Sequence, residues 1–176
     1  MFREMRRTRQ ALSPADCAGV LRRGTSGVLA LDGMDGYPYA VPLSYVYDGE
    51  QIYFHCAKTG HKLDAIRRNP KASFCIIDQD QVVPEEYTSY FRSVIVFGRL
   101  RVVEDAARKR AAIELLAQKY APGDSAEHRT RTIEREWTPL CVLELSIDHL
   151  SGKEAIELVQ DPKQAETQFH QKAVCP

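Results

Sequence analysis

The sequence predicts an α+β protein, mainly β: a six-stranded antiparallel barrel with peripheral helices. Six segments alternate apolar and polar residues with the period of a strand. Turn residues bound them, and nowhere do strands alternate with helices as a parallel sheet requires. The 176 residues suit one domain, and no internal repeat or linker divides them.

The chain opens on a basic segment, Arg3 to Arg9, that leads into no apolar run of signal-peptide length. A helix follows over 13–23: Ser13 can cap it, Pro14 suits its first position, Asp16 favours its first turn and Gly24 stops it. A strand over 27–31, a Gly- and Asp-rich turn over 32–36 and a second strand over 39–47 come next. In the second strand Tyr39, Val41, Leu43, Tyr45 and Tyr47 share one face, and Ala40, Pro42, Ser44 and Val46 the other. Pro42 cannot donate to a ladder, which puts it at a sheet edge or a bulge. Asp48-Gly49 turns the chain into a third strand over 51–56, so the three strands read as a meander.

A short helix is expected over 60–69, with Leu63 and Ile66 on one side and Asn69-Pro70 as its stop. The fourth strand covers 72–78, and 79–90 reads as an acidic and aromatic loop. The fifth strand covers 93–104, where Gly98 marks a bulge or a close approach. Helical spacing predicts Ala106–Tyr120 as the clearest helix, and Ala126–Glu136 is expected to be a second, short one. The sixth strand covers 140–149, with Gly152 beyond it. Residues 1–159 thus form the domain, and the Gln-, Lys- and Glu-containing stretch 160–176 is expected to be disordered.

Hydrophobic residues make up 44% and charged residues 27%, ordinary globular usage that argues against a disordered chain. The formal net charge is zero, so no global field attracts nucleic acid or an anionic membrane, and any anion site must be local. Nothing approaches the roughly 20 apolar residues of a membrane span, and a cytoplasmic protein is expected. Five cysteines (Cys17, Cys56, Cys75, Cys141 and Cys175) form no CxxC pair and are odd in number, so neither a disulfide framework nor a zinc site is signalled. Cys75 and Cys141 read as core residues.

The stretch Tyr53-Phe54-His55-Cys56-Ala57-Lys58-Thr59-Gly60-His61-Lys62-Leu63-Asp64 carries the chemistry. A strand ends there, and a polar loop leads into a helix whose first turn holds His61 and Lys62. Free amides, the helix dipole and neighbouring cations make a local phosphate site, and Lys58, Lys62, Arg67 and Arg68 add charge. A solvated basic helix face is the competing account. Neither GxGxxG nor GxxxxGK[ST] occurs, so a Rossmann or P-loop nucleotide site is unsupported.

The segment 37–45 (Tyr-Pro-Tyr-Ala-Val-Pro-Leu-Ser-Tyr), the run 53–57, Gly60-His61-Lys62 and Arg68-Asn69-Pro70 resemble the pyridoxamine-phosphate-oxidase-like split-barrel flavoproteins. Within that superfamily they look like the nitroimidazole-resistance proteins. Residues 91–98 and Trp137-Thr138-Pro139-Leu140 match the later parts of the same pattern, so the resemblance spans roughly residues 1 to 157, in order.

The resemblance implies a split β-barrel that binds FMN, with Lys58, His61 and Lys62 on its phosphate and Val41, Pro42, Leu43 and Ser44 along the flavin ring. Ala57 and His55 border the cofactor. It further implies a homodimer with FMN at the subunit interface and Ser93 reaching the flavin from the other subunit. Reduction of small electrophiles such as nitroimidazoles follows, with a nicotinamide nucleotide as one candidate reductant. The alternative is a flavin- or haem-binding carrier or sensor. His61-Lys62 stands where true pyridoxamine-phosphate oxidases have an arginine-lysine pair, and their C-terminal substrate arginine motif is missing, which argues against vitamin B6 oxidation. His55, with an ordinary pKa near 6.5, is the candidate proton donor; a structural histidine is the other reading. Trp137 belongs to the core or walls the pocket, and Tyr87, Tyr90 and Phe91 line a substrate cavity or pack on the barrel. His128, His149 and His170 carry no assignment.

Overall fold

Three helices begin where the sequence supplies a capping side chain. Ser13 accepts from the Asp16 amide at the start of α1 (Pro14–Arg23), Asp105 from that of Arg108 at α3 (Ala106–Tyr120), and Ser125 from that of His128 at α4 (Ala126–Glu136). Each cap satisfies an amide that the helix leaves open and contributes about 1 kcal/mol. The computed structural model describes residues 2–160; Cys175, His170 and nearly all of the 160–176 tail lie outside the described residues.

The strands are β1 (Ser26–Asp32), β2 (Pro38–Ser44), β3 (Val46–Tyr47), β4 (Gln51–Ala57), β5 (Lys71–Val83), β6 (Thr88–Val102) and β7 (Leu140–Glu154). Two further helices are α2 (His61–Arg68) and α5 (Ile156–Gln160). The strands form one antiparallel sheet in the order β2-β1-β5-β6-β7-β4-β3. Seven strands stand where six were expected, because the segment 39–47 is broken at Tyr45. Its first half pairs with β1 at one end of the sheet and its second half with β4 at the other. The expected meander is corrected accordingly: β2 does not pair with β4. A single residue joins the two ends, so the sheet curls toward itself.

Tyr45 lies outside both ladders, and the last turn of α3 satisfies its backbone. The Tyr120 hydroxyl accepts from the Tyr45 amide at 2.9 Å and faces the carbonyl oxygens of Tyr45 and Thr25. Beside it, Lys119 donates to the Gly24 carbonyl and holds its ammonium 4.2 Å from the centre of the Tyr45 ring. Burial pulls that lysine down to about 8.

Two corrections concern strand length. The expected 79–90 loop is a hairpin: β5 and β6 pair as far as Val83 and Thr88 around a short turn at Pro84–Glu86. A bulge between Ile77 and Gln79 turns Asp78 inward, where Arg23 and Arg92 bind it. The last strand runs on through Gly152 to Glu154; that glycine is packed against Leu12 and Cys17, where a side chain would collide. Gly98 sits where β6 and β7 change register, and a Cβ there would strike the Ser146 carbonyl oxygen. The expectation of a close approach at Gly98 holds.

The main core gathers Leu29, Leu31, Phe54, Phe74, Ile76, Val94, Val96 and Leu143 under α1 and α2. A second cluster, Val46, Tyr53, Leu116, Leu140 and Val142, lies under α3. The buried Glu144 is held by Arg101 at 2.7 Å and Arg108 at 2.5 Å. No helix among the described residues is long and apolar enough to cross a membrane.

Candidate functional site

The edge position of β2 accounts for Pro42. Paired only with β1, the strand leaves one row of backbone groups without a strand partner, and a missing N–H on an edge costs little. Tyr39, Val41 and Leu43 turn inward and pack on the main core, while Ala40, Pro42 and Ser44 are exposed on the opposite face. The alternation read from the sequence holds up to the break at Tyr45.

The loop after β4 meets this edge. Gly60 adopts φ +125°, which favours glycine, and starts α2 without a side-chain cap, so the first-turn amides keep their donors free of one. His61 stacks on Tyr39 with ring centres 4.3 Å apart, tying the helix start to β2. Lys58 is exposed and Lys62 half-buried, and neither pairs with a carboxylate among the described residues. Arg67 and Arg68 do not add to the site. Arg67 pairs with Asp64, and Arg68 donates to the Asp32 and Gly33 carbonyls, fixing α2 to the turn after β1.

The electrostatics of the group are those of neighbouring cations. Partial burial, then the Lys62 ammonium, hold the His55 imidazole below its ordinary value. Lys109 of α3 was not foreseen from the sequence: burial, then the Lys58 charge, lower its pKa, and it sits 4.2 Å over the Trp137 ring. Its place on α3, 47 residues beyond Lys62, left no local signal. Trp137 is half-buried against the second cluster, so it joins the packing and also walls this cationic corner.

Ser93 lies elsewhere in the same chain. It pairs with Ile77 on one side and Lys153 on the other, three strand spacings from β2, roughly 14 Å. Its face of the sheet is nevertheless that of Pro42: the cross-strand row Pro42, Val28, Cys75, Ile95 and Ser151 runs along it, beside Phe97 and Ile77. Val28, Ile77, Ile95 and Phe97 are exposed there. Cys75 belongs to this half-buried outer row rather than the core expected of it; Cys141 is buried as expected, opposite Cys56. Tyr90 and Phe91 pack with Ala155 and Leu158, whereas Tyr87 is fully exposed at the hairpin tip. Among the described residues no group of three or more His, Cys, Asp or Glu is placed to hold a metal ion.

A curled antiparallel sheet with a basic loop-to-helix site at its edge is the architecture of the split-barrel flavoproteins. Residues 13–154 match the family model described as pyridoxamine 5'-phosphate oxidase, and the chain belongs to that family. Among solved structures, it is similar to a candidate 5-nitroimidazole antibiotic resistance protein from Bacteroides thetaiotaomicron (19% identity, 82% of this chain and 86% of that one, TM-score 0.66). It is also similar to a FAD-binding protein from Mesorhizobium loti (26% identity, 83% and 97%, TM-score 0.57). An FAD- and haem-binding protein from Mycobacterium smegmatis shares the fold at 24% identity, over 84% and 73% of the chains, with a TM-score of 0.68. No curated protein sequence matches the chain.

Proposed function

We propose that the protein is a cytoplasmic FMN-dependent oxidoreductase, a homodimer that reduces small electrophiles such as nitroimidazoles. One observation carries this reading: the loop into the uncapped start of α2, beside the free edge of β2, is flanked by two cationic pairs, Lys62 with His55 and Lys58 with Lys109. That cluster fits a phosphate monoester. The adjoining exposed strip of Ala40, Pro42 and Ser44 fits a flat ring, with backbone groups of the free edge available to its polar atoms.

On this reading Lys58, His61, Lys62 and the first-turn amides of α2 hold the phosphate, and Ala57 borders the cofactor. Val41, Pro42, Leu43 and Ser44 seat the ring. FMN supplies, when bound, the electron-transfer chemistry that no side chain here offers. His55 delivers a proton from its imidazolium form to the reduced substrate; the Lys62 ammonium disfavours that form, and a phosphate bound to Lys62 would offset the effect. The exposed apolar face of Val28, Ile95 and Phe97 supports pairing with a second copy. The partner subunit's Ser93 then reaches this chain's flavin. Residues 1–159 form the working domain, and a nicotinamide nucleotide is the electron source.

The haem- and flavin-binding neighbour from Mycobacterium smegmatis favours a second reading, a binding protein without fast turnover. The purified protein's spectrum separates the two. Flavin bands that bleach anaerobically with a reduced nicotinamide and recover on adding a nitroimidazole support the oxidoreductase. A Soret band, or flavin that stays oxidised with every donor, refutes it.

A further inference from the structure

The basic segment at the N-terminus is not used by the site above. Phe2 stacks on His149 (ring centres 4.5 Å apart) and packs near Phe97, so the segment starts on the outward face of the sheet. It ends where Ala11 bridges to Lys153 and the Leu12 amide donates to the Gly152 carbonyl. Between these anchors it walls two adjoining cavities that share Arg6 and Arg7. One, of about 370 Å³, is lined by Arg6, Arg7, Thr8, Arg9, Gln10 and Ile156; the other, of about 300 Å³, by Met5, Arg6, Arg7 and Lys153. No acidic side chain lines either one. None of Arg6, Arg7, Arg9 and Lys153 pairs with a carboxylate among the described residues.

Gln10 supplies a second, independent mark. It is 5% exposed, lines the larger cavity, and its carboxamide oxygen is buried without a hydrogen-bond partner. Such a group costs about 1–3 kcal/mol unless something donates to it. A bare anion has nothing to donate; a nucleobase N–H or a ribose hydroxyl has. The two depressions adjoin and open to solvent along the segment, which leaves room for an extended anion rather than a single ion.

We propose that this basin is a second anion site, which takes the phosphates of a nucleotide on Arg6, Arg7, Arg9 and Lys153 while Gln10 accepts from its base or sugar. Lys153 is the ladder partner of Ser93, so the basin opens one strand spacing from the residue assigned to the partner's flavin. In that respect alone the inference rests on the proposed function: it gives the nucleotide electron donor a place on the subunit facing the flavin.

Calorimetric titration of the full-length protein with ADP, and separately with pyrophosphate, tests it. ADP should bind saturably, once per chain. The double variant Arg7→Gln, Lys153→Gln should weaken it at least about tenfold, the loss of one charge-assisted phosphate contact, while Lys153→Arg retains affinity. Gln10→Leu should weaken ADP and leave pyrophosphate unchanged. Lys62→Gln, which tests the flavin loop, should leave ADP affinity within about twofold. Absence of saturable ADP binding to wild type overturns the site. So does binding that survives the double variant and disappears in Lys62→Gln, because ADP would then sit in the flavin loop. A protein that binds ADP in the basin but takes up no FMN would refute the proposed function and leave this site standing.

Discussion

Replacing Lys62 by alanine removes one of two loop ammonium groups that have no carboxylate partner among the described residues. A hydrogen bond to a charged group contributes about 1.5–3 kcal/mol, and half-buried Lys62 is shielded from solvent more than a surface lysine, so the full range applies. FMN affinity should therefore fall about 10- to 150-fold. The structure also supplies the control. Arg67 is one turn further along the same helix, is exposed, and is engaged with Asp64 at 3.0 Å. Arg67→Ala removes the same charge and should change FMN affinity less than about threefold, a surface-charge effect that salt screens. The assay is quenching of FMN fluorescence on titration with flavin-free protein, at two salt concentrations. Equal affinity for wild type and Lys62→Ala would refute the phosphate loop. Equal losses in both variants would show that net charge rather than a local contact attracts the flavin.

Light scattering of the holo-protein should give about twice the 19.9 kDa chain mass, and Ile95→Glu on the exposed sheet face should yield a monomer that loses FMN; a monomer that keeps its flavin would sink the shared site. The folded His55 pKa lies below its ordinary 6.5, so the unfolded chain takes the proton first and stability should drop as pH falls from 6.5, with a flatter profile in His55→Gln. Its acid form is then scarce at neutral pH, so nitroimidazole turnover should decline as pH rises through the His55 pKa. FMN phosphate beside Lys62 should raise the His55 pKa, and an NMR titration unmoved by FMN would contradict their proximity. Glu144 is 2% exposed while its partners Arg101 and Arg108 are 60% and 51% exposed, so the cost of separation is asymmetric. Removing both arginines strands a buried carboxylate and should cost about 3–5 kcal/mol in urea unfolding, whereas Glu144→Gln should cost less than half of that because the freed arginines reach water. Equal losses would contradict the asymmetry.

The helices Ala106–Tyr120 and Ala126–Glu136 were legible to the residue because helical patterning is local, and the structure adds caps at Asp105 and Ser125 that the sequence reading did not use. The hairpin over 79–90 was not. Its strands persist because β5 and β6 pair with each other across a bulge, and the acidic, aromatic composition of the segment says nothing about that pairing. Nor does period-two patterning say which neighbour each half of a strand will choose, so the break at Tyr45 was hidden inside one continuous alternation. At the site, residue type announced a basic loop but could not tell free cations from occupied ones. Lys62 and Arg68 read alike in sequence, yet only Arg68 is spent on backbone carbonyls. Lys109 needed the third dimension altogether.

The junction at Tyr45 has a mechanical consequence. The strand edge assigned to the ring and the loop assigned to the phosphate belong to opposite ends of one sheet, linked through a single residue whose backbone is clasped by Tyr120. The two are held together at that link and, directly, by the stacking of His61 on Tyr39, so the last turn of α3 is one of two clamps on their spacing. Tyr120→Phe would leave the Tyr45 amide without its acceptor and weaken that clamp with no change to any residue assigned to the ligand. Helix α3 thus fastens the seam where the two ends of the sheet meet, away from the surfaces assigned to the ligand.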